Sequence, residues 1–168
     1  MARSGGIIRA GEASDIEFLI EMLHEAAYRP SASRPPIQTM LADPLIARYI
    51  AEWGRPGDAA VIAVDESNHP LGAAWYRLFT VKEAGFGFID AETPEVSVAV
   101  VPDQRGRGIG TALLVALAKK ARQQGFAQLS LSVGPENPAL RLYERIGFVR
   151  VNRSGGHWTM RIVLPRTL

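Results

Sequence analysis

VVPDQRGRGIGTALL, residues 100–114, places a glycine-rich turn between a strand and a helix. A valine-rich segment ends at Pro102, and three glycines and two arginines occupy six consecutive residues before an apolar helical pattern begins. The first turn of a helix has unpaired backbone N–H groups and a partial positive charge, so it suits an anion. Because glycine has no Cβ, a phosphate can approach the main chain there. The stretch therefore predicts a phosphate-binding turn.

Polar side chains in this turn can add to such a site. Arg105 and Arg107 can donate hydrogen bonds to phosphate oxygens, and Thr111 supplies a hydroxyl. No lysine follows Gly110, which excludes the P-loop pattern, and the dinucleotide pattern Gly-x-Gly-x-x-Gly fails in every register. The alternative is a tight turn that opens a helix and binds nothing.

The rest of the chain alternates between strand and helix patterns. We predict one α/β domain over residues 1–168: a mixed, mostly antiparallel seven-stranded sheet flanked by about four helices, with a central parallel strand pair joined by a right-handed crossover. The predicted strands cover residues 6–11, 59–65, 71–79, 95–101, 127–133, 148–151 and 157–164. The predicted helices cover residues 14–28, 37–54 with a break at Pro44, 110–125 and 137–147.

Composition excludes several classes of protein. The 168 residues are 47% hydrophobic and 21% charged, and the formal net charge of +2 is spread along the chain, which argues against nucleic-acid binding. There is no cysteine, so neither a disulfide framework nor a thiolate nucleophile is expected. No apolar run approaches the length of a membrane span, and no secretory signal is recognised, so we expect a cytoplasmic protein without membrane contact.

Two motifs carry a resemblance to a known family. Arg105, Gly108 and Gly110 fit the pattern Arg/Gln-x-x-Gly-x-Gly/Ala, and ENPALRLYERIGFVRV at residues 136–151 fits Asn…Leu-Tyr-Glu-x-x-Gly-Phe. Together they make the sequence similar to the GNAT family of N-acetyltransferases, specifically over residues 95–153. The resemblance implies the acyl-CoA N-acyltransferase fold and acetyl transfer from acetyl-CoA to a primary amine by direct attack in a ternary complex. The alternative is a catalytically weak module of the same fold that senses acyl-CoA.

The resemblance also implies where acetyl-CoA binds. Its pantetheine arm would pair with the edge of the fourth strand as an added strand does. No metal is expected, because direct transfer needs none and the three histidines lie far apart in sequence. The implied pantetheine positions are Val98, Ala99 and Val100, and the implied pyrophosphate positions are Gly106, Arg107, Gly108, Ile109, Gly110 and Thr111.

Three residues near these motifs are candidates for chemistry, each with an alternative. Tyr143 matches the family tyrosine that protonates the departing thiolate, but it also shares a helical face with core residues. Asn137 can contact the pantetheine or cap its helix. Glu95 matches a carboxylate that takes the proton of the acceptor amine, and burial would raise its pKa for that role. The alternative for Glu95 is a solvated carboxylate at the end of a strand.

The acceptor is left open by the sequence. The resemblance implies that the segments 24–36 and 80–94 hold it, unless both are ordinary solvated loops. Tyr28 and Arg34 in the first segment suit an acceptor with a carboxylate, whereas Phe86 in the second suits an apolar amine. We therefore expect a small-molecule or peptide amine as the partner. The sequence leaves open whether the protein also forms a homodimer.

Overall fold

Seven strands pair into one sheet in the order β1-β2-β3-β4-β5-β7-β6. The computed structural model describes residues 6–27 and 34–165. Only β4 and β5 run parallel, as neighbours at the centre of the sheet, so the predicted mixed sheet with a central parallel pair is confirmed. The strands are β1 Ile7–Ala10, β2 Ala59–Val64, β3 Pro70–Arg77, β4 Glu95–Val100, β5 Gln128–Val133, β6 Val149–Ser154 and β7 His157–Val163.

Five α-helices lie among the described residues, one more than the four expected. Within the helical pattern at 37–54, two short helices form, since Pro44 lacks an N–H and starts a new helix. The prediction of helix over residues 48–54 is wrong, because those residues form turns and irregular backbone. The Asp43 side chain caps that second helix by accepting a hydrogen bond from Leu45 N at 3.0 Å. The helices are α1 Ile16–Ala27, α2 Ile37–Leu41, α3 Pro44–Ala47, α4 Ile109–Gln123 and α5 Ala139–Ile146.

The central strands of the sheet are covered on both faces, whereas the edge strand β6 is exposed along its length. On one face α4 and α5 pack through a cluster that includes Leu113 and Leu117, each 0% exposed. On the other face α1 and the segment after it pack through a cluster that includes Leu19 and Trp75. Both faces of β2 are covered, which explains why its sequence AAVIAV is apolar throughout.

The central parallel pair is short. The ladder between β4 and β5 contains a single residue pair, Glu95 with Ser130, and Ser130 N also donates to Pro94 O at 3.0 Å. On its other side β4 pairs with β3 over its whole length, from Gly72 with Val100 to Arg77 with Glu95. β4 and β5 therefore meet where β4 begins and diverge along its length.

A buried ion pair fixes the segment after α3 against the end of β3. The Arg77 guanidinium, 1% exposed, donates to the Asp58 carboxylate at 2.9 and 2.8 Å. It also donates to the carbonyl oxygens of Arg48 and Ala51 at 2.8 and 2.6 Å. All of the hydrogen bonds that these two buried charges make serve to hold residues 48–58 in place.

We expect the replacement Arg77→Leu to lower the free energy of unfolding by about 3–5 kcal/mol, because it leaves Asp58 as an uncompensated buried charge. Urea denaturation measures the change. Glu144→Gln is the matched control, since it breaks the surface pair between Arg150 and Glu144, whose side chains are 43% and 45% exposed. That control should change stability by less than about 1 kcal/mol. Equal losses in the two variants would contradict the assigned role of Arg77.

Candidate active site

The divergence of β4 and β5 opens a cavity of about 520 Å³. Its lining comes from α1, the segment after α3, β4, β5, the segment 134–137, α5, the start of β7 and Phe86 in the loop between β3 and β4. Distant parts of the chain therefore meet around one space. Of the residues predicted from sequence, those that line it are Phe86, Glu95, Val98, Ala99, Asn137 and Tyr143.

Glu95 is the buried acid of this cavity. Its residue is 2% exposed, so the solvated strand-end alternative is wrong. Tyr49 Oη donates a hydrogen bond to Oε2, and Gly87 N donates to Oε1 at 3.1 Å. Burial raises the pKa of Glu95 to about 7, and the two hydrogen bonds act against that rise because they favour the charged form. A carboxyl group with this pKa can take up a proton at neutral pH.

Two glycines let the loop between β3 and β4 close over this acid. A Cβ on Gly85 would collide with the Glu95 carboxylate and would lie 2.7 Å from Tyr49 Oη. A Cβ on Gly87 would lie 2.5 Å from the carbonyl carbon of Leu131 on β5. The loop backbone approaches both groups more closely than any side chain permits.

Tyr49 is the residue of this site that the sequence motifs missed. It is 7% exposed, and Phe86 N donates to its hydroxyl oxygen at 2.7 Å. Burial, followed by the neighbouring charge of Glu95, raises the pKa of Tyr49 well above its usual range. Tyr49 lies 46 residues before Glu95, and no spacing rule joins the two. In the sequence, Tyr49 is only one tyrosine within an apolar helical pattern, which does not mark it as a residue of the site.

Aromatic rings form one wall of the cavity. The Phe86 ring, on a residue that is 52% exposed, stacks against Tyr49 at 6.3 Å and against His157 at 6.2 Å between ring centroids. Arg34 does not line the cavity but pairs with Glu25 at 2.6 Å. Tyr28, the other predicted acceptor contact, lies outside the described residues.

The glycine turn has the backbone that its composition predicted. Gly106 and Gly108 have φ angles of 78° and 81°, a region that favours glycine, and Gly108 is the N-cap of α4. A Cβ at either position would meet no atom within 4 Å, so the space beside them is open. The Gly110 backbone lies in the first helical turn, where a Cβ would only touch Leu142. The Ile109 side chain is buried in the core.

The two arginines of the turn differ in their contacts. Arg105 donates to Glu25 Oε2 of α1 at 2.8 Å and to Val100 O at 3.2 Å, so its guanidinium links the turn to α1. Arg107 is exposed beside the turn. Val100 itself is buried and does not line the cavity.

Tyr143 and Asn137 both line the cavity, and each also makes a structural contact. Tyr143 is 8% exposed and packs edge-on against Phe148 at 5.9 Å, yet it also lines the cavity. Asn137 Oδ1 accepts a hydrogen bond from Ala139 N at 2.9 Å at the start of α5 and lines the cavity as well. Asn137 directly precedes Pro138, the N-cap residue of α5, and its side chain binds the first backbone N–H of that helix.

Comparison with known proteins agrees with this geometry. A family model described as acetyltransferase (GNAT) family matches residues 20–148. The chain belongs to this family. The match covers the glycine turn, α5 and the cavity lining except His157, so the GNAT resemblance of the two sequence motifs is confirmed.

Two curated relatives show which proteins this family member is similar to. A mycothiol acetyltransferase of Arthrobacter sp. (strain FB24) is 34% identical over 127 residues, which are 74% of this chain and 38% of that protein. An L-methionine sulfoximine/L-methionine sulfone acetyltransferase of Pseudomonas paraeruginosa (strain DSM 24068 / PA7) is 34% identical over 111 residues, 62% of each chain. The family member therefore spans less than two thirds of the length of these relatives.

Among solved structures, a GNAT superfamily phosphinothricin acetyltransferase from Sinorhizobium meliloti, determined in complex with AcCoA, superposes with a TM-score of 0.70. The superposition covers 95% of this chain and 89% of that one at 23% identity, and it supports the fold assignment. Across residues 6–27 and 34–165, the helices are all too short or too polar to cross a membrane. In the same ranges, no group of three His, Cys, Asp or Glu side chains can hold a metal ion.

We expect Glu95→Gln to gain stability relative to the wild type as pH rises. The pKa of Glu95 in the folded protein, about 7, is above its ordinary value of 4.5, so the folded state binds this proton more tightly than the unfolded chain. Wild-type stability therefore falls as pH rises from about 4.5 to about 7, whereas the glutamine is neutral throughout. The difference in unfolding free energy should grow by about 3 kcal/mol across this window.

Urea denaturation at pH 4.5, 6, 7 and 8 measures this difference. Glu144→Gln, which removes a carboxylate from the surface pair with Arg150, supplies the baseline for loss of an exposed acid. A difference for Glu95→Gln that stays constant over the whole pH range would show that burial does not perturb this acid.

Proposed function

We propose that the protein transfers the acetyl group of acetyl-CoA to a primary amine by direct attack in a ternary complex. One observation carries the proposal: the buried acid Glu95 and the phenol Tyr143 line the same cavity, which lies between two diverging strands. A base for the incoming amine and an acid for the departing thiolate are the two proton-transfer groups that such a reaction requires.

The cavity fits acetyl-CoA as the donor. Where β4 diverges from β5, Val98 and Ala99 line the cavity, so the β4 backbone can pair with the amides of a pantetheine arm. The left-handed glycines at 106 and 108 and the first-turn N–H groups of α4 suit the pyrophosphate. Arg107 can add charge there, whereas the pairing of Arg105 with Glu25 gives it an anchoring role. The similar structure in complex with AcCoA supports the same donor.

The chemical step follows from these positions. Glu95 accepts a proton from the ammonium group of the acceptor, and the resulting amine forms an N–C bond to the thioester carbonyl carbon. A backbone N–H of β4 can stabilise the oxyanion that forms. When the C–S bond breaks, the electron pair leaves with sulfur and Tyr143 supplies the proton that gives free CoA. As the intermediate collapses, the attacking nitrogen releases its second proton to solvent, which leaves the neutral amide. Solvent then returns a proton to the Tyr143 phenolate and removes the proton held by Glu95.

The aromatic wall of the cavity favours a particular class of acceptor amine. Phe86, Tyr49 and His157 present apolar ring surface beside Glu95, and Leu23 and Ile46 also line the cavity. An amine joined to an apolar or aromatic body can lie against this wall and reach the acid. The relatives carry the names of small-molecule acetyltransferases, which supports a small-molecule or peptide amine rather than a larger acceptor.

We expect Gly108→Leu to weaken acetyl-CoA binding at least about tenfold, because a side chain would occupy the space that the pyrophosphate needs. Gly125→Leu is a matched control at the opposite end of α4. Its φ is 90°, close to the 81° of Gly108, and a Cβ at either position meets nothing within 4 Å. Both variants should therefore lose similar stability through backbone strain, about 1–2 kcal/mol.

Isothermal titration with acetyl-CoA separates the two variants. Only the substitution at Gly108 should raise the Kd. Equal affinity in the two would remove the glycine turn from the cofactor site.

We expect the protein to release free thiol from acetyl-CoA when an acceptor amine is present, and Tyr143→Phe to lower kcat at least about a hundredfold, as loss of a general acid does. The Kd for acetyl-CoA should stay within about twofold, because the phenol acts on the leaving group. The assay is thiol release with phenethylamine, methioninamide, methionine and spermidine as acceptors. Binding of acetyl-CoA without thiol release from any of them would favour the sensing module over the enzyme.

A further inference from the structure

The hydroxyl of Tyr49 lies between the acid and the loop that carries the aromatic wall. It donates to Glu95 Oε2 and accepts from Phe86 N at 2.7 Å. The direct-transfer chemistry gives this phenol no proton to move, because Tyr143 serves the leaving group and Glu95 serves the amine. The phenol is nevertheless buried and has two hydrogen-bond partners.

We propose that Tyr49 is a positioning residue, which aims the Glu95 carboxylate at the acceptor amine and couples that carboxylate to the Phe86 loop. The proposal rests on the proposed function, in which Glu95 is the base. Three features of the geometry support it: the direction of the hydrogen bonds, the anchoring of Tyr49, and the way each carboxylate oxygen is occupied.

The direction of the hydrogen bonds is set by Phe86. A phenol has one hydrogen to donate, and its oxygen here accepts the Phe86 N–H, so the hydroxyl hydrogen is directed to Glu95. Gly87 N donates to the other carboxylate oxygen at 3.1 Å. Consecutive residues of one loop therefore hold the acid, one through Tyr49 and one directly. A shift of the loop changes both contacts at once.

The anchoring of Tyr49 comes from both sides of its backbone. Trp75 Nε1 of β3 donates to Tyr49 O at 3.1 Å, and Arg77 Nη1 donates to Arg48 O at 2.8 Å. Arg48 Nη1 in turn donates to Ala84 O at 2.6 Å, directly before the glycine that faces Glu95. The ring is thus held by β3 and by the loop, so its hydroxyl offers the acid a partner at a set place.

Other charged groups lie around Glu95, among them Glu136 in the cavity lining and Arg161, whose Nε is buried without a hydrogen-bond partner among the described residues. Arg77 is opposite Glu95 on β3 but pairs with Asp58. Arg161 of β7 is opposite Ser130, the β5 neighbour of Glu95, and His157 stacks on Phe86 at the cavity wall. Tyr143 lines the cavity from α5. Tyr49 and the Gly87 amide are the hydrogen-bond donors to Glu95 that the described residues show.

The test is the pH profile of kcat/KM for Tyr49→Phe. The hydroxyl favours the ionised form of Glu95, so its loss should move the acidic limb to higher pH by about one unit, the size expected for one hydrogen bond to a charged group. At pH values below the limb, kcat/KM of Tyr49→Phe should be about tenfold lower than that of the wild type. Above pH 9 it should stay within about threefold of the wild-type value. A structural role alone would lower the rate by one factor at every pH, and that result would overturn the proposal.

Tyr76→Phe is the matched control. It also removes a largely buried tyrosine hydroxyl, which donates to Gln124 on the opposite face of the sheet. This variant should lose stability and leave the acidic limb in place. His157→Gln tests the other ionisable group at the wall and should likewise leave the limb in place. A limb that moves equally in Tyr76→Phe would overturn the assignment to Tyr49.

A titration without turnover separates this proposal from the proposed function. Glutamate labelled with ¹³C at Cδ reports the Glu95 carboxyl by NMR in the absence of acetyl-CoA, and Glu95→Gln identifies its signal. A titration midpoint of Glu95 that is higher in Tyr49→Phe than in the wild type supports the positioning role even if no amine is acetylated. An unchanged midpoint overturns the proposal. If Tyr49→Phe does not fold, 3-fluorotyrosine at position 49, a more acidic phenol, should move the midpoint to lower pH; no movement overturns the proposal.

Discussion

The single residue pair between β4 and β5 is the constraint on which the site depends. Backbone N–H and C=O groups in a protein interior need partners, so a strand that leaves its neighbour must find another. β4 keeps β3 along its whole length and loses β5 after its first residue. The resulting gap is the cavity, which is lined by residues 95–99 of β4 and residues 131–133 of β5.

The buried acids Asp58 and Glu95 have different kinds of partner. Arg77 and Asp58 neutralise each other at the end of β3, whereas Glu95 has only hydrogen-bond donors that the described residues supply. The two arrangements have opposite consequences. A fully paired ion pair holds backbone in place, and a carboxyl group that lacks a cation keeps its proton to about pH 7. The first arrangement stabilises the scaffold, and the second leaves an acid that can exchange a proton near neutral pH.

The features that could be predicted from sequence were those whose residues lie close together along the chain. The strand, turn and helix around Gly108 follow one another directly, so their order and their left-handed glycines could be inferred, and Glu95 and Tyr143 came with the motifs. Tyr49 could not, because it lies 46 residues before Glu95 and no spacing rule relates the two positions. Arg105 shows the same limit. Its partner Glu25 lies 80 residues earlier, so the sequence assigned this arginine to phosphate alone.

One carboxylate on α1 is shared by two guanidinium groups, since Glu25 binds both Arg34 and Arg105. The three charges leave an excess of one positive charge next to the glycine turn, where the charges of exposed Arg107 and exposed Asp103 offset each other. Such a local field attracts polyanions from solution and raises their rate of encounter, with a range of about 8 Å at physiological ionic strength. The cluster that ties α1 to the turn thus also acts as an electrostatic guide whose strength declines as salt is added.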